Sequence, residues 1–307
     1  MEYFEVVKPD TKIDFVRWMK PASILSVIVI LIGVTAIFWR GGLNYGIDFA
    51  GGSLVQVSFT QPPHIENVRS NLETIGLGNS IIQTYGEQEV VIRTQDTDGT
   101  IKDLGAKIET ALGTSFADDT FKVKRVEVVG PKVGKELAQK ALLAIFFSWV
   151  GILIYVSYRF EFRYALGSII GLIHNVLVTT SIFCLLNKEF DLNIVAAMLT
   201  IVGYSINDAI VIFDRIRENM RKNTRTPLRD LINTSLNQTL SRTILTYLTM
   251  LLVLIVLFFF GGIVLHDFAF TMIVGVTAGA YSTIFIATPI VLVFDKIRPA
   301  AAVSKKK

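Results

Sequence analysis

The chain has 307 residues, 51% of them apolar and 18% charged, with a formal net charge of +4 and a mean hydropathy of +0.52. Such hydropathy is far from that of an average soluble domain and points to a membrane protein. The modest positive balance gives no reason to invoke nucleic acid, and the single cysteine, Cys184, forms no intramolecular disulfide, so the redox compartment stays open.

The chain opens on a polar segment, 1–21, that carries Glu2, Glu5, Asp10 and Asp14 ahead of the first apolar stretch, Ala22–Phe38. Trp39-Arg40-Gly41-Gly42 offers no A-x-A-like cleavage site, so an uncleaved anchor over 22–39 is expected instead of a signal peptide. A polar stretch, 40–137, follows and is far too long for a simple loop. Five more apolar stretches occupy 138–294: Ala141–Tyr158, Ala165–Leu186, Leu192–Phe213, Thr243–Leu265 and Phe268–Phe294. Each approaches the ~20 residues that a spanning helix needs. A basic loop, 214–242, separates spans four and five, and a basic tail, 295–307, closes the chain.

Basic residues near the span ends set the expected orientation. They are Lys8, Lys12, Arg17 and Lys20; Arg159 and Arg163; Arg215, Arg217, Arg221, Lys222, Arg225, Arg229 and Arg242; and Lys296, Arg298 and Lys305–Lys307. Six spans place all four groups on one side, with both termini cytoplasmic and 40–137 extracytoplasmic. The short loops at 187–191 and 261–267 hold only Lys188 as a base, which agrees.

Within 40–137 the pattern predicts strand, helix, strand, strand, helix, strand. Val55, Val57 and Phe59 alternate with Gln56 and Ser58 as in a half-buried strand. Pro62-Pro63 opens a helix running through Leu72, and Ile81–Thr84 and Val90–Thr94 flank a hairpin-like Tyr85-Gly86-Glu87-Gln88. Asp98-Gly99 precedes a periodic helix, Ile101, Leu104, Ile108, Leu112. Phe121–Val129 forms the last strand, which Gly130-Pro131 ends. This order is that of a small ferredoxin-like α+β domain. No His/Cys metal cluster, phosphate-binding loop or nucleophile constellation occurs in it, so binding or mechanical work is expected in place of catalysis.

The most informative residue is Asp208, inside the apolar run of span four. A carboxylate at a helix centre costs about 2.5–3.5 kcal/mol on insertion scales and marks proton, ion or buried-partner chemistry. Ile201, Tyr204, Ser205, Asp208 and Ile212 share one helical face. Asp208 precedes Asp214 by six residues, roughly 9 Å at 1.5 Å per residue, between the cytoplasmic boundary and the midplane. On span five Ser235, Thr239 or Gln238, Arg242, Thr246 and Thr249 form a polar stripe, with Thr226-Pro227 read as an N-cap and first helical residue. Arg242 either meets Asp208 or snorkels to the cytoplasmic surface.

Small residues recur every four positions at Gly167, Gly171, Asn175 and Thr179, and at Thr271, Gly275, Gly279 and Thr283, which predicts close helix packing. His174 and Asn175 are read as helix–helix hydrogen bonding, with a proton relay as the sharper alternative. Asp214-Arg215-Ile216-Arg217-Glu218 reads as a charged, solvated helix end, with a coupling role as its alternative.

Three segments resemble the SecF family, the smaller-subunit branch of the SecD/SecF protein-export family in the resistance-nodulation-division superfamily. They are Gly46-Ile47-Asp48-Phe49-Ala50-Gly51-Gly52, Val202-Gly203-Tyr204-Ser205-Ile206-Asn207-Asp208 running on to Asp214-Arg215-Ile216-Arg217-Glu218-Asn219, and Val128-Val129-Gly130-Pro131-Lys132-Val133-Gly134. The resemblance implies a multi-pass subunit of the inner membrane that works with SecD beside the SecYEG channel and the SecA motor on exported polypeptides. It implies that proton motive force drives the work, with sodium as the alternative coupling ion and no cofactor or metal. By motif, Asp208 and Arg242 carry the proton coupling, with Tyr204, Ser205, Asn207, Thr246, His174 and Asn175 as secondary polar candidates. Gly46, Asp48, Phe49, Gly51, Gly52, Gly130 and Pro131 are expected to act as a structural or hinge motif. A proton-coupled small-molecule exporter and a non-conducting assembly scaffold are the alternatives. An intramembrane protease is disfavoured, since only Asp208 lies well inside a span and Gly203-Tyr204-Ser205-Ile206 lacks a rhomboid-like G-x-S-G run.

Overall fold

The computed structural model describes residues 11–94, 101–116 and 120–297, so the predicted turn at Asp98-Gly99 and the charged residues Glu2, Glu5, Lys8, Asp10, Arg298 and Lys305–Lys307 lie outside the described residues. Contacts divide the chain into two units, one made of residues 44–143 with 189–192 and the other of the remainder.

In chain order the elements are α1 (Phe15–Trp39), α2 (Ile47–Ala50), β1 (Gly52–Phe59), α3 (Ile65–Glu73), β2 (Ile81–Tyr85), β3 (Glu89–Thr94), α4 (Ile101–Gly113) and β4 (Phe121–Val129). Then follow α5 (Pro131–Arg159), α6 (Phe162–Leu185), α7 (Leu192–Lys222), α8 (Leu228–Phe260), α9 (Gly262–Ser282), a π-helical turn (Thr283–Ala287) and α10 (Thr288–Ile297). Among the described residues six helical spans are long and apolar enough to cross a membrane: α1, α5, α6, α7, α8 and Gly262–Asp295.

The bundle is built around α6, α7 and the sixth span, each about half buried, while α1, α5 and α8 turn apolar faces outward. Small residues explain the asymmetry. Gly167 of α6 passes so close to the π-helical turn that an added Cβ would lie 2.7 Å from the Ala287 carbonyl oxygen. At Gly279 of α9 a Cβ would lie 2.5 Å from Ser205 Oγ, and at Gly275 it would strike Ile201. The two predicted four-residue repeats are thus the faces on which these helices approach one another.

Several boundaries differ from expectation: α1 begins at Phe15, seven residues ahead of the predicted start at 22, and α3 begins at Ile65, after Pro62-Pro63 instead of at them, because the chain stays extended up to His64. The fifth apolar stretch does not continue through Leu265, because α8 stops at Phe260, Gly261 N–H bonds the Leu257 carbonyl at 2.8 Å, and Gly262 turns at φ 66°. Ile263–Leu265 therefore open the next helix, and the predicted loop at 261–267 shrinks to the glycine pair. Glycine takes this left-handed conformation without steric cost, and hydropathy alone does not register a turn between two apolar helices. Pro227 is the residue before α8 and not its first helical residue, one position off the prediction.

In the other unit the four strands form one antiparallel sheet in the order β2-β3-β1-β4. Together with the β-α-β-β-α-β sequence this is the ferredoxin-like arrangement. The alternation read in β1 is a burial pattern: Val55, Val57 and Phe59 are 1%, 0% and 4% exposed. They pack with Val68 and Leu72 of α3, Val90 and Ile92 of β3, and Leu104, Ile108 and Leu112 of α4.

Candidate functional site

Two apolar clusters run through the bundle, and Asp208 lies between them along α7. On one side Ala209, Ile212, Phe213 and Ile216 of α7 pack with Ile232 and Leu236 of α8. On the other, Ala197 and Ile201 pack with Tyr247 and Leu254 of α8 and with Met272 and Val276 of α9. Asp208 is only 8% exposed. Its Oδ1 accepts a hydrogen bond from Thr243 Oγ1 at 2.8 Å, and its Oδ2 is buried without a partner. The Tyr247 hydroxyl is buried, is also without a hydrogen bond, and lies within interaction range of both Asp208 and the Thr283 side chain. Tyr204, one turn before Asp208, donates to the Thr246 carbonyl at 2.7 Å, and its ring meets that of Tyr247 edge-on.

The buried polar stripe of α8 is therefore Ser235, Thr239, Thr243 and Tyr247, at four-residue spacing. The predicted stripe shares its first two members but then drifts one position to Arg242, Thr246 and Thr249. Arg242 and Thr249 are exposed and Thr246 is half-buried, its hydroxyl donating to the Arg242 carbonyl. Among the described residues Arg242 forms no ion pair, although its charge acts on Asp208 from the same helix pair. Thr243 and Tyr247 escaped the sequence reading. Their signal was present in the i+4 continuation from Thr239.

Ser205 is buried and belongs to a second polar group. With its amide oriented to satisfy its neighbours, the two N–H groups of Asn175 face three acceptors, Gly171 O, Ala278 O and Ser282 Oγ, and its Oδ1 accepts from Ser205 Oγ at 3.0 Å. This ties α6, α7 and α9 together, the helix–helix role read for Asn175. His174 is 6% exposed, has no hydrogen-bond partner on either ring nitrogen, and stacks on Tyr281. Asn207 lies on the exposed side of α7.

Past this belt, the charged end of α7 is stitched to α8. Arg215 Nε donates to Gln238 Oε1 at 2.7 Å and Asn219 Nδ2 donates to both Ser235 and Gln238. Glu218 pairs with Arg215 and Lys222, Arg217 is half-buried and Asp214 is exposed. The segment is thus more than a solvated helix end, because it fixes the register of α7 against α8.

The glycine motif is organised within the other unit. Gly46 N–H bonds Phe190 O at 3.0 Å, and Asp48 Oδ2 accepts from the backbone N–H of Leu192, the first residue of α7. Phe49 is buried against Tyr45 and Phe190, and Arg93 forms an ion pair with Glu189. Gly51, at φ 81°, lies against Pro131, Gly52 pairs with Val129, and Gly134 approaches the Phe49 carbonyl. Gly130 has open space around it, and Pro131 opens α5. Asp48 occupies an N-capping role at an orphan helical N–H. Asp48→Ala is expected to lower stability by about 1 kcal/mol, read as earlier thermal unfolding of the full chain in detergent, whereas Asp48→Asn should lose much less.

The fold and site define a polytopic membrane protein with an appended ferredoxin-like domain and a partly satisfied carboxylate buried in its helical bundle. Residues 108–297 match the family model for the C-terminal region of protein export membrane protein SecD/SecF, and residues 37–63 match the SecD/SecF GG motif. The protein translocase subunit SecF of Magnetococcus marinus is 46% identical over 93% of both chains. That of Vibrio alginolyticus is 41% identical over 94% of this chain and 92% of its own. The crystal structure of SecDF from Thermus thermophilus superimposes with a TM-score of 0.84 at 33% identity, covering 95% of this chain. This chain spans 40% of the length of that SecDF chain. The chain belongs to the SecF branch of the SecD/SecF family.

Proposed function

We propose that this protein is a protein translocase subunit that works with SecD in the inner membrane. There it couples proton movement through Asp208 to the passage of exported polypeptides at the SecYEG channel served by SecA. Both termini face the cytoplasm in this reading, the ferredoxin-like domain lies outside, and the role is transport, not catalysis. The observation that carries it is a carboxylate 8% exposed between two apolar clusters, with one oxygen held by Thr243 and the other unpartnered. Protonation of the open oxygen adds a hydrogen-bond donor and removes the charge, so the bonding of the site changes with its protonation state, which is what a coupling site requires.

The cycle alternates charge and packing. Ionised Asp208 holds Thr243 and acts on Arg242, and protonation removes that charge and lets α7 and α8 repack. One charge crossing a 100 mV potential releases about 2.3 kcal/mol, enough to bias a two-state step tens-fold, since about 1.4 kcal/mol corresponds to tenfold. The test is export into vesicles holding SecD, SecYEG and either this protein or its Asp208→Asn variant, with and without a proton gradient. Gradient-independent export by the wild-type complex would overturn the coupling reading and leave an assembly scaffold. Stimulation by a sodium gradient alone would make sodium the coupling ion.

A further inference from the structure

The hydroxyl of Tyr247 is used by nothing in the cycle above, yet it is buried, lacks a hydrogen bond and lies within interaction range of Asp208 and Thr283, one turn along α8 from the Thr243 that bonds Asp208. Unpartnered buried hydroxyls are uncommon, because a donor taken out of water without a partner is costly. Asp208 Oδ2 is a second buried atom of the same helix pair without a partner. Thr283 opens the π-helical turn of the sixth span, a geometry that recurs at functional positions. Its hydroxyl donates to Gly279 O at 3.0 Å, so only its oxygen lone pairs are free to accept. Thr288 Oγ1 in turn bonds the Thr283 carbonyl at 2.7 Å across the wide turn.

We propose that Tyr247 is a hydroxyl rotor that reads the protonation state of Asp208 and transmits it to the π-helical turn. The inference rests on Asp208 being the coupling carboxylate. With Asp208 ionised, Tyr247 O–H donates to Oδ2. When a proton binds there, the Asp208 O–H donates to Tyr247 Oη, and the tyrosine hydrogen turns to Thr283 Oγ1. Tyrosine keeps its own proton throughout, and a hydroxyl serves as donor and acceptor in both states. The other ionisable groups facing Asp208 are Arg242 from α8 and Tyr204 from its own helix. Asn175 of α6 is engaged with Ser205, and His174 lies against Tyr281. Tyr247 is thus a positioning residue, acting through Asp208.

Infrared difference spectra of the full SecD-containing complex, recorded across a pH step, test the rotor. The carboxylic acid C=O band of protonated Asp208 is assigned as the band that Asp208→Asn removes. Tyr247→Phe keeps the ring packed against Tyr204 and is expected to shift that band to higher wavenumber, as the acid loses its acceptor. It is also expected to cut gradient-dependent export about tenfold, the scale of one charge-assisted hydrogen bond. Thr283→Val should reproduce the export loss and Thr283→Ser should rescue it, with assembly intact in every variant. A band assigned to Asp208 that stays in place in Tyr247→Phe overturns the rotor and leaves the coupling carboxylate standing. If Asp208→Asn removes no band, the coupling reading itself fails, and the rotor with it.

Discussion

Asp208→Asn is expected to abolish the gradient-dependent part of export, at least a tenfold loss, while leaving assembly with SecD intact. Asparagine has nearly the same shape, and its amide oxygen still accepts from Thr243 where Oδ1 now does at 2.8 Å. A neutral amide is also cheaper than a carboxylate in this environment, so the bundle is not expected to lose stability. What the substitution removes is the ability to change charge. Equal export with and without the gradient in the variant, against clear stimulation in wild type, supports coupling at Asp208. Undiminished stimulation in the variant makes Asp208 a structural carboxylate. Because packing is preserved, a loss of export accompanied by loss of SecD would instead indicate misassembly, and co-purification separates the two.

The second large effect is expected at Gly51→Ala. Gly51 has φ 81° and ψ 165°, a region open essentially to glycine alone, where another residue costs on the order of 1–3 kcal/mol. A Cβ there would also lie 2.9 Å from Cα of Pro131, a backbone atom at the start of α5 that has no flexible end to swing away. Overpacking of that kind costs about 1–3 kcal/mol more. The sum, roughly 2–6 kcal/mol, is a large share of a domain's stability. Limited proteolysis of the full protein should show the ferredoxin-like unit cut much faster in Gly51→Ala. Gly130→Ala, at a site with open space, serves as the control and should resist digestion like wild type. Equal resistance of the two variants would show that the motif tolerates a side chain at Gly51.

The sequence was informative wherever one residue type at one spacing had a single physical solution. Alternation at Val55, Val57 and Phe59 permits only a half-buried strand, and the sheet confirms it residue by residue. Glycine and threonine every four residues on α6 and α9 permit close approach, and these are the faces that pack. A lone carboxylate in an apolar run had to be buried or functional, and Asp208 is buried.

It was ambiguous where two faces satisfied the same period. Ser235 and Thr239 continue equally well to Arg242 and Thr246 or to Thr243 and Tyr247, because 3.6 residues per turn lies between steps of three and four. Polar character favoured the arginine, but a long cation is readily kept at a surface, and the threonine and tyrosine went inward. The break at Gly261-Gly262 was hidden for a related reason, as both sides of it are apolar.

By itself the sequence determined the six spans, the ferredoxin-like order of elements, and the one membrane residue whose charge demanded explanation, because solvent transfer and backbone periodicity are properties of local chain. Only the tertiary structure decided which atoms surround that charge. The Thr243–Asp208 bond and the capping of α7 by Asp48 join residues far apart in the chain, and helix packing leaves the Tyr247 hydroxyl buried without a partner. Such contacts follow from how helices and loops meet, which no single segment encodes.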